Sequence, residues 1–185
     1  AGAGVQRGLV GPREVPRLWE RHLLNSAAVS AAVPDRAAVL DVGSGAGLPG
    51  VPLALVRPDL VITLVEPLLR RATFLHDVVA QLSLGNVTVQ RARAEELAAA
   101  STDVVVARAV APLAKLVGWT LPLVRPGGRL VAMKGQAAQD ELDAAVAALR
   151  RLSARSWQVR ELAVGAGIAP TRAVVVVAGS PRRQR

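Results

Sequence analysis

Leu40-Asp41-Val42-Gly43-Ser44-Gly45-Ala46-Gly47-Leu48-Pro49-Gly50 is the stretch from which the rest of the chain is read. Val39 to Gly43 has the apolar character of a buried strand and runs directly into glycines; Val51 to Val56 then reads as a short helix closed by Arg57-Pro58. Glycines in a strand-to-helix loop let the backbone take positive φ and approach a ligand closely. Two spacings overlap here. Gly45, Gly47 and Gly50 give the G-x-G-x-x-G of dinucleotide sites, while Asp41, Gly43, Gly45 and Gly47 give D-x-G-x-G-x-G. Both readings require an acid at the end of the next strand, where it accepts hydrogen bonds from ribose hydroxyls. Glu66, closing the apolar run Leu60 to Val65, is that acid.

Outward from the loop, short apolar runs alternate with helical patterns, as in a mostly parallel sheet covered by helices. Leu68, Ala72, Leu75, Val79 and Leu82 recur at three and four, predicting a helix over 67–83 stopped by Gly85-Asn86. Val87 to Gln90 reads as a strand, Glu95 to Ala100 as a weak helix and Asp103 to Arg108 as a buried strand; Pro112 opens a helix carrying Leu113, Leu116 and Val117. Arg125-Pro126-Gly127-Gly128 predicts a turn before a strand Arg129 to Met133, and Leu142, Ala145, Val146 and Leu149 mark a last helix ending in Arg150 and Arg151. Trp157 to Val164 and Arg172 to Ala178 are strand-like runs with no room for a crossover helix between them, so they are expected to pair antiparallel. Val15, Leu18, Trp19, Leu23 and Ala27 suggest a helix ahead of the sheet, with Trp19 in its core-facing set. The expected organisation is a helical extension over 1–36, an α/β domain over 37–180 and a basic tail over 181–185.

The terminal hairpin separates the two readings of the glycine loop. A dinucleotide fold continues with further parallel strands, and the chain leaves no second domain for a hydride donor's substrate. D-x-G-x-G-x-G followed by such a hairpin resembles class I methyltransferases that use S-adenosylmethionine, with a Rossmann-like sheet of seven strands. Arg91-Ala92-Arg93-Ala94-Glu95-Glu96 places a small residue and an acid where such enzymes hold adenine.

Composition bounds what the site accepts. The chain has 185 residues, 23 basic against 14 acidic for a net +9, and 51% hydrophobic residues, which suits one domain with a sizeable core. No cysteine means no disulfide, no thiolate metal cluster and no thiol nucleophile, and no metal site is expected. The apolar runs are strand-length, too short to span a bilayer, and Ala1-Gly2-Ala3-Gly4 lacks the basic-then-apolar pattern of a secretory signal; a soluble cytoplasmic protein is expected. Lysine occurs only at Lys115 and Lys134, so the charge is nearly all arginine, whose planar fork suits phosphates, although solvated helix faces explain many single arginines equally well. With no tyrosine, one phenylalanine and three tryptophans, base recognition on aromatic platforms is disfavoured.

Five motifs in order make the likeness specific. Arg21-His22-Leu23-Leu24-Asn25-Ser26, Asp41 to Ala54, Arg93-Ala94-Glu95-Glu96, Arg108-Ala109-Val110-Ala111 and Met133-Lys134-Gly135 resemble the successive motifs of the ribosomal small-subunit methyltransferase G family, also called glucose-inhibited division protein B. The resemblance runs from about Gly11 to about Gly179. Family members carry a further helical segment upstream, so the extension is expected to be truncated here. The resemblance implies methyl transfer from S-adenosylmethionine to N7 of a guanine in 16S ribosomal RNA near the decoding centre, with loss of the mark linked to low-level streptomycin resistance. It carries cofactor contacts to Gly43, Leu48, Ala94, Glu95 and Arg108; Gly45 and Gly47 follow from the loop and Glu66 from the ribose argument.

The residue inventory suits that chemistry. C5 methylation of a pyrimidine needs a thiolate, absent here, and exocyclic-amine methylation typically uses an Asn/Asp-Pro-Pro-aromatic motif where this chain has Arg108-Ala109-Val110-Ala111. Guanine N7 carries a lone pair and no proton, so it needs orientation and electrostatics rather than a base. Arg108 and Lys134, at carboxyl ends of strands on the edge of the glycine loop, are the catalytic candidates, Lys134 also facing RNA at guanine O6 or a phosphate. Arg21, His22, Arg150 and Arg151 are further RNA candidates, His22 reading first as a packing or capping residue; His76 reads as surface. The expected partner is 16S RNA or the small subunit, bound by a monomer. Two alternatives stand beside this reading: a methyltransferase for another RNA, a protein or a small molecule, and a non-enzymatic dinucleotide-binding module.

Overall fold

The computed structural model describes residues 11–165 and 168–180. Seven strands form one sheet: β1 Ala38–Val42, β2 Val61–Val65, β3 Val87–Gln90, β4 Thr102–Arg108, β5 Val124–Met133, β6 Ala154–Leu162 and β7 Thr171–Ala178, in the order β3-β2-β1-β4-β5-β7-β6. The first five run parallel; β7 enters antiparallel between β5 and β6. The order reverses between β1 and β4, which puts a ligand crevice beyond their carboxyl ends. The helices are α1 Gly50–Val56, α2 Leu69–Gln81, α3 Leu113–Thr120 and α4 Ala138–Arg151.

The period of two in the strands divides the core between the two faces. In β4, Val104 and Val106 pack with Leu53 of α1, Leu75 of α2 and Val29, while Val105 and Ala107 pack with Leu113 and Leu116 of α3 and Leu142 and Leu149 of α4. A near-continuous apolar strand is what a sheet covered on both faces requires.

Four expectations change. Residues ahead of the sheet are not one regular helix: narrow turns at Pro12–Arg17, wide turns at Leu18–Leu24, one regular turn at Asn25–Ala27 and narrow turns at Ala28–Ala32 follow one another. Pro16 lies inside the first of these, where it has no N–H to donate. The altered turn width changes which residues share a face. Trp19, expected in the core, is 67% exposed, and the small residues Ala28, Val29 and Ala32 reach the core instead. Over 95–100 only one turn forms, Ala94–Glu96, because Ala98 to Ala100 have no apolar face to bury. Arg125-Pro126-Gly127-Gly128 lies within β5 rather than before it: the ladder to β4 passes from Thr102↔Val124 to Val104↔Arg129, so the turn is looped out as an irregularity that accommodates the proline. The antiparallel pairing of the last two strands is as expected, with β6 starting at Ala154. The basic tail over 181–185 and residues 1–10 of the extension lie outside the described residues.

Candidate functional site

The glycine loop is stapled to the strand beside it. Gly43 and Ser44 donate N–H bonds to Val65 O at 2.9 and 3.1 Å, and Ser44 Oγ donates to Asp41 O at 2.7 Å. Asp41 itself is buried at the end of β1, with Oδ2 accepting from Gly50 N at 2.9 Å and Oδ1 left without a partner. Burial pushes this carboxyl up to about 7, the charge of Glu66 adding to the effect and the Gly50 N–H opposing it. Gly50 has no room for a side chain: a Cβ there would lie 2.4 Å from Leu64 Cδ2 and 2.6 Å from Asp41 Oδ2. Gly43 combines φ +72° with a Cβ position 2.8 Å from Val110 Cγ2, so the loop after β4 closes directly onto it.

Glu66 is buried at the end of β2 and receives two backbone donors, Gly45 N on Oε2 and Leu68 N on Oε1, both at 3.0 Å, with Arg71 3.9 Å away. A cavity of about 400 Å³ lies between Gly43, Glu66, Leu68, Ala94, Glu95 and Val110. A hollow of about 200 Å³ follows along the loop at Gly45, Leu48 and Arg108. A third cavity, of about 640 Å³, is walled by Arg21, Asn25, Arg108, Met133, Lys134 and Glu141. All three are lined by Ala109, which holds a left-handed φ of +52° at the exit of β4. An alanine in that region costs about 1–3 kcal/mol, and such strain gathers at sites.

The catalytic candidates both border the largest cavity, and both are anchored. Arg108 donates from Nη1 to His22 O and Ser26 Oγ, each at 3.2 Å, and from Nη2 to His22 Nδ1. Burial lowers its pKa, the nearby Arg21 charge acting in the same direction and Glu14 opposing. Lys134 Nζ pairs with Glu141 Oε2 at 2.8 Å and donates to Ala111 O at 2.5 Å; the same Glu141 oxygen accepts from Leu113 N at 2.7 Å at the start of α3. His22 is occupied on both ring nitrogens, its Nε2 being 2.7 Å from Glu14 Oε2.

Gly43, Gly45, Leu48, Glu66, Ala94, Glu95, Arg108, Lys134 and Arg21 are thus brought to one edge of the sheet. Gly47 supports the loop from beneath: it is buried, its N–H bonded to Ser44 O at 2.7 Å. Arg150 and Arg151 are not brought there. They end α4, whose 14 residues carry them about 20 Å along the sheet from the Lys134 end. Sequence reasoning passed over Ala109, Val110, Glu141 and Glu14 as site residues; the first two stand inside a quoted motif, but only folding shows what they face.

Comparison with known proteins identifies the arrangement. The family model for rRNA small subunit methyltransferase G, GidB, matches residues 1–167. The chain belongs to the rRNA small subunit methyltransferase G family. It is 58% identical over 178 residues to ribosomal RNA small subunit methyltransferase G from Streptomyces coelicolor, covering 95% of this chain and 74% of that protein. It is 52% identical over 189 residues to the protein of the same name from Rhodococcus jostii, covering 100% and 83%. Among solved structures, a SAM-dependent methyltransferase from Aquifex aeolicus superposes with a TM-score of 0.68 at 17% identity over 93% of this chain and 98% of that one. M. jannaschii TYW2 in complex with AdoMet gives 0.63 at 15%, over 82% and 72%. These distant likenesses carry the fold, the Rossmann-like sheet of class I methyltransferases.

The residues of this family member fit S-adenosylmethionine. The ligand is cationic at its sulfonium and ammonium, and the buried carboxyl of Glu66 stands on the cavity wall, with Asp41, one oxygen unpartnered, buried beneath the loop. Gly43 lines both the cavity and the adjoining hollow without a side chain, and a Cβ there would strike Val110 on the same wall. Among the described residues no group of three or more His, Cys, Asp or Glu could hold a metal ion, and no helix is long and apolar enough to cross a membrane.

Proposed function

We propose that this chain transfers a methyl group from S-adenosylmethionine to N7 of a guanine in 16S ribosomal RNA, near the decoding centre, acting as a monomer in the cytoplasm. Family membership supports S-adenosylmethionine-dependent methylation of small-subunit rRNA. The choice of N7 is what the family resemblance implies, and one observation supports it: the acceptor cavity is cationic and offers no free base. Of its side chains, Arg21, Arg108 and Lys134 are positive, and its one carboxylate, Glu141, is held by Lys134 and Leu113 N. An acceptor that must lose a proton before attack has nothing there to take it. Guanine N7 attacks with a lone pair.

S-adenosylmethionine supplies an electrophilic methyl on a sulfonium. The chain's own part is to bind, orient and exclude water. In this reading Glu66 receives the ribose hydroxyls, Ala94 and Glu95 face the adenine, and the backbone at Gly43, Gly45 and Leu48 cradles the amino-acid end over Gly47. Arg108 stands between the glycine-loop hollow and the acceptor cavity. Lys134 has three donors, two of them engaged by Glu141 and Ala111 O, which leaves one N–H for guanine O6 or a flanking phosphate. Arg21 is left for the RNA backbone, whereas Arg150 and Arg151 are too distant to serve the same nucleotide.

The test is to map N7-methylguanine by reduction and strand scission in small-subunit RNA from cells with and without the gene. A cleavage lost with the gene and restored by the purified chain with S-adenosylmethionine is expected. A purified chain that methylates a metabolite or protein in preference to small-subunit RNA overturns the substrate, and tighter binding of a nicotinamide dinucleotide overturns the cofactor.

A further inference from the structure

We infer that Glu14 and His22 act as positioning residues for Arg108, so that the helical segment ahead of the sheet completes the methyl-transfer site instead of merely covering it. The inference deepens the function proposed above and rests on it for the role of Arg108. It also reassigns His22 from RNA contact to support.

The donor and acceptor pattern fixes the state of the imidazole. Arg108 Nη2 carries only donors, so His22 Nδ1, which it faces, is the acceptor. The ring proton then sits on Nε2 and is donated to Glu14 Oε2, 2.7 Å away. An imidazolium would set an N–H of its own against the guanidinium, donor against donor. Glu14 holds the other end of the relay, its carboxyl kept below the usual range first by the His22 hydrogen bond and then by the charges of Arg21 and Arg17. Arg21 Nη1 stands 3.6 Å from the same Glu14 oxygen. Carboxylate, neutral imidazole and guanidinium therefore form one directed chain from the leading segment to the end of β4.

The other anchors show that one flank of the guanidinium is committed. Nη1 is taken by His22 O and Ser26 Oγ, and one Nη2 donor by the imidazole. Of the five N–H groups of an arginine, Nε–H and the second Nη2–H remain without a partner among the described residues. These are the donors available where the glycine-loop hollow meets the acceptor cavity. A flexible arginine would lose rotamer entropy and reorganise at the moment of reaction; a clamped one has done both beforehand. With both ring nitrogens occupied, His22 has no donor or acceptor left for RNA.

Two measurements test this in the full chain. The chain has only two histidines, so nitrogen-15 correlation spectra of the imidazoles give two sets of signals, one per ring, with exposed His76 as the internal reference. His22 is expected as the Nε2–H tautomer with an unprotonated, hydrogen-bonded Nδ1 whose shift moves toward that of a free ring nitrogen in R108A. A protonated Nδ1 in the wild type overturns the proposal, whatever the substrate proves to be. The second measurement is methyl transfer to small subunits lacking the mark. His22→Ala is expected to lower kcat about ten-fold or more with KM for S-adenosylmethionine changed about three-fold or less. His22→Asn, whose side-chain oxygen can replace Nδ1 as acceptor, is expected to recover most of that loss. On an R108A background His22→Ala should add nothing, because it acts through Arg108. Equal losses with and without Arg108, or an inactive H22N that keeps wild-type melting, overturn it. If H22A does not fold, E14A and H22N carry the same comparison. A wild type with no activity on RNA but the expected tautomer refutes the proposed substrate alone.

Discussion

Asp41→Asn should remove a defined part of the protein's pH dependence. The Asp41 carboxyl is held at about 7 instead of its ordinary 3.8, chiefly by burial. A folded-state pKa above the unfolded one means that the native protein binds a proton the unfolded chain has released. The associated stability is fully present below about pH 4 and is lost as pH rises through about 7. At 1.36 kcal/mol per pH unit the difference corresponds to about 4 kcal/mol, or roughly 10 °C in Tm for a chain of this size. Asn keeps an oxygen for the Gly50 N–H bond and cannot ionise. Asp59 and Glu14, whose carboxyls are lowered by Arg57 and by His22, titrate in the opposite sense but identically in both proteins, so they cancel in the difference. The assay is urea unfolding followed by tryptophan fluorescence, without ligand, from pH 4.5 to 8. D41N should gain on the wild type as pH rises toward about 7 and level off above it. Parallel stability curves would refute the reasoning, because they would mean that the buried carboxyl keeps its ordinary pKa or ionises without cost.

Gly50→Ala drives a Cβ to within 2.4 Å of Leu64 and 2.6 Å of Asp41, and should destabilise by about 1–3 kcal/mol in thermal melts and weaken S-adenosylmethionine binding by calorimetry. Gly43→Ala meets Val110 at 2.8 Å in a left-handed backbone; calorimetry should show cofactor affinity falling, since Val110 lines the cavity beside it and space is open to it there, with a lowered Tm in thermal melts. Glu66→Gln leaves one of the Gly45 and Leu68 N–H groups facing an amide N–H₂, at about 1–3 kcal/mol, and should weaken S-adenosylmethionine about ten-fold or more while S-adenosylmethionine analogues without ribose hydroxyls lose less.

Local patterns were legible where they depend on neighbours along the chain. The strand Val39 to Gly43, the period of three and four through Ala72 and Leu75, and the lack of a crossover between Trp157 and Ala178 all carry their own geometry, and the topology follows from them. Glu66 was legible because a strand end is a fixed place in this architecture. Trp19 was misread because a proline and a change of turn width shift the helical face, and neither shift is visible in a 3.6-residue pattern. Arg150 and Arg151 stand away from the cavities for a geometric reason: a helix of 14 residues that starts beside the site ends about 20 Å along the sheet from it. The partners of the site cations were out of reach altogether, because Glu14 and Arg108 are distant in sequence, are joined only through His22, and nothing local marks them as a set.

Those partners bear on how a site without a base can accelerate a reaction. Arg108 is tied through His22 to Glu14, and Lys134 to Glu141, so both catalytic candidates in the acceptor cavity are held by a carboxylate on a helical element. Each pair also fixes backbone: Arg108 pins the segment carrying Ser26, and Lys134 with Glu141 pins Ala111 and Leu113 on either side of Pro112. Ala109, strained and shared by all three cavities, lies between these two anchors. The loop where donor and acceptor must meet is therefore braced at both ends before either arrives. For an attack needing only alignment of a lone pair with a methyl, such bracing is where rate can come from: a misplacement of about 1 Å can cost on the order of a hundred-fold. It follows that removing an anchor, Glu14 or Glu141, should impair turnover although neither touches the reacting atoms.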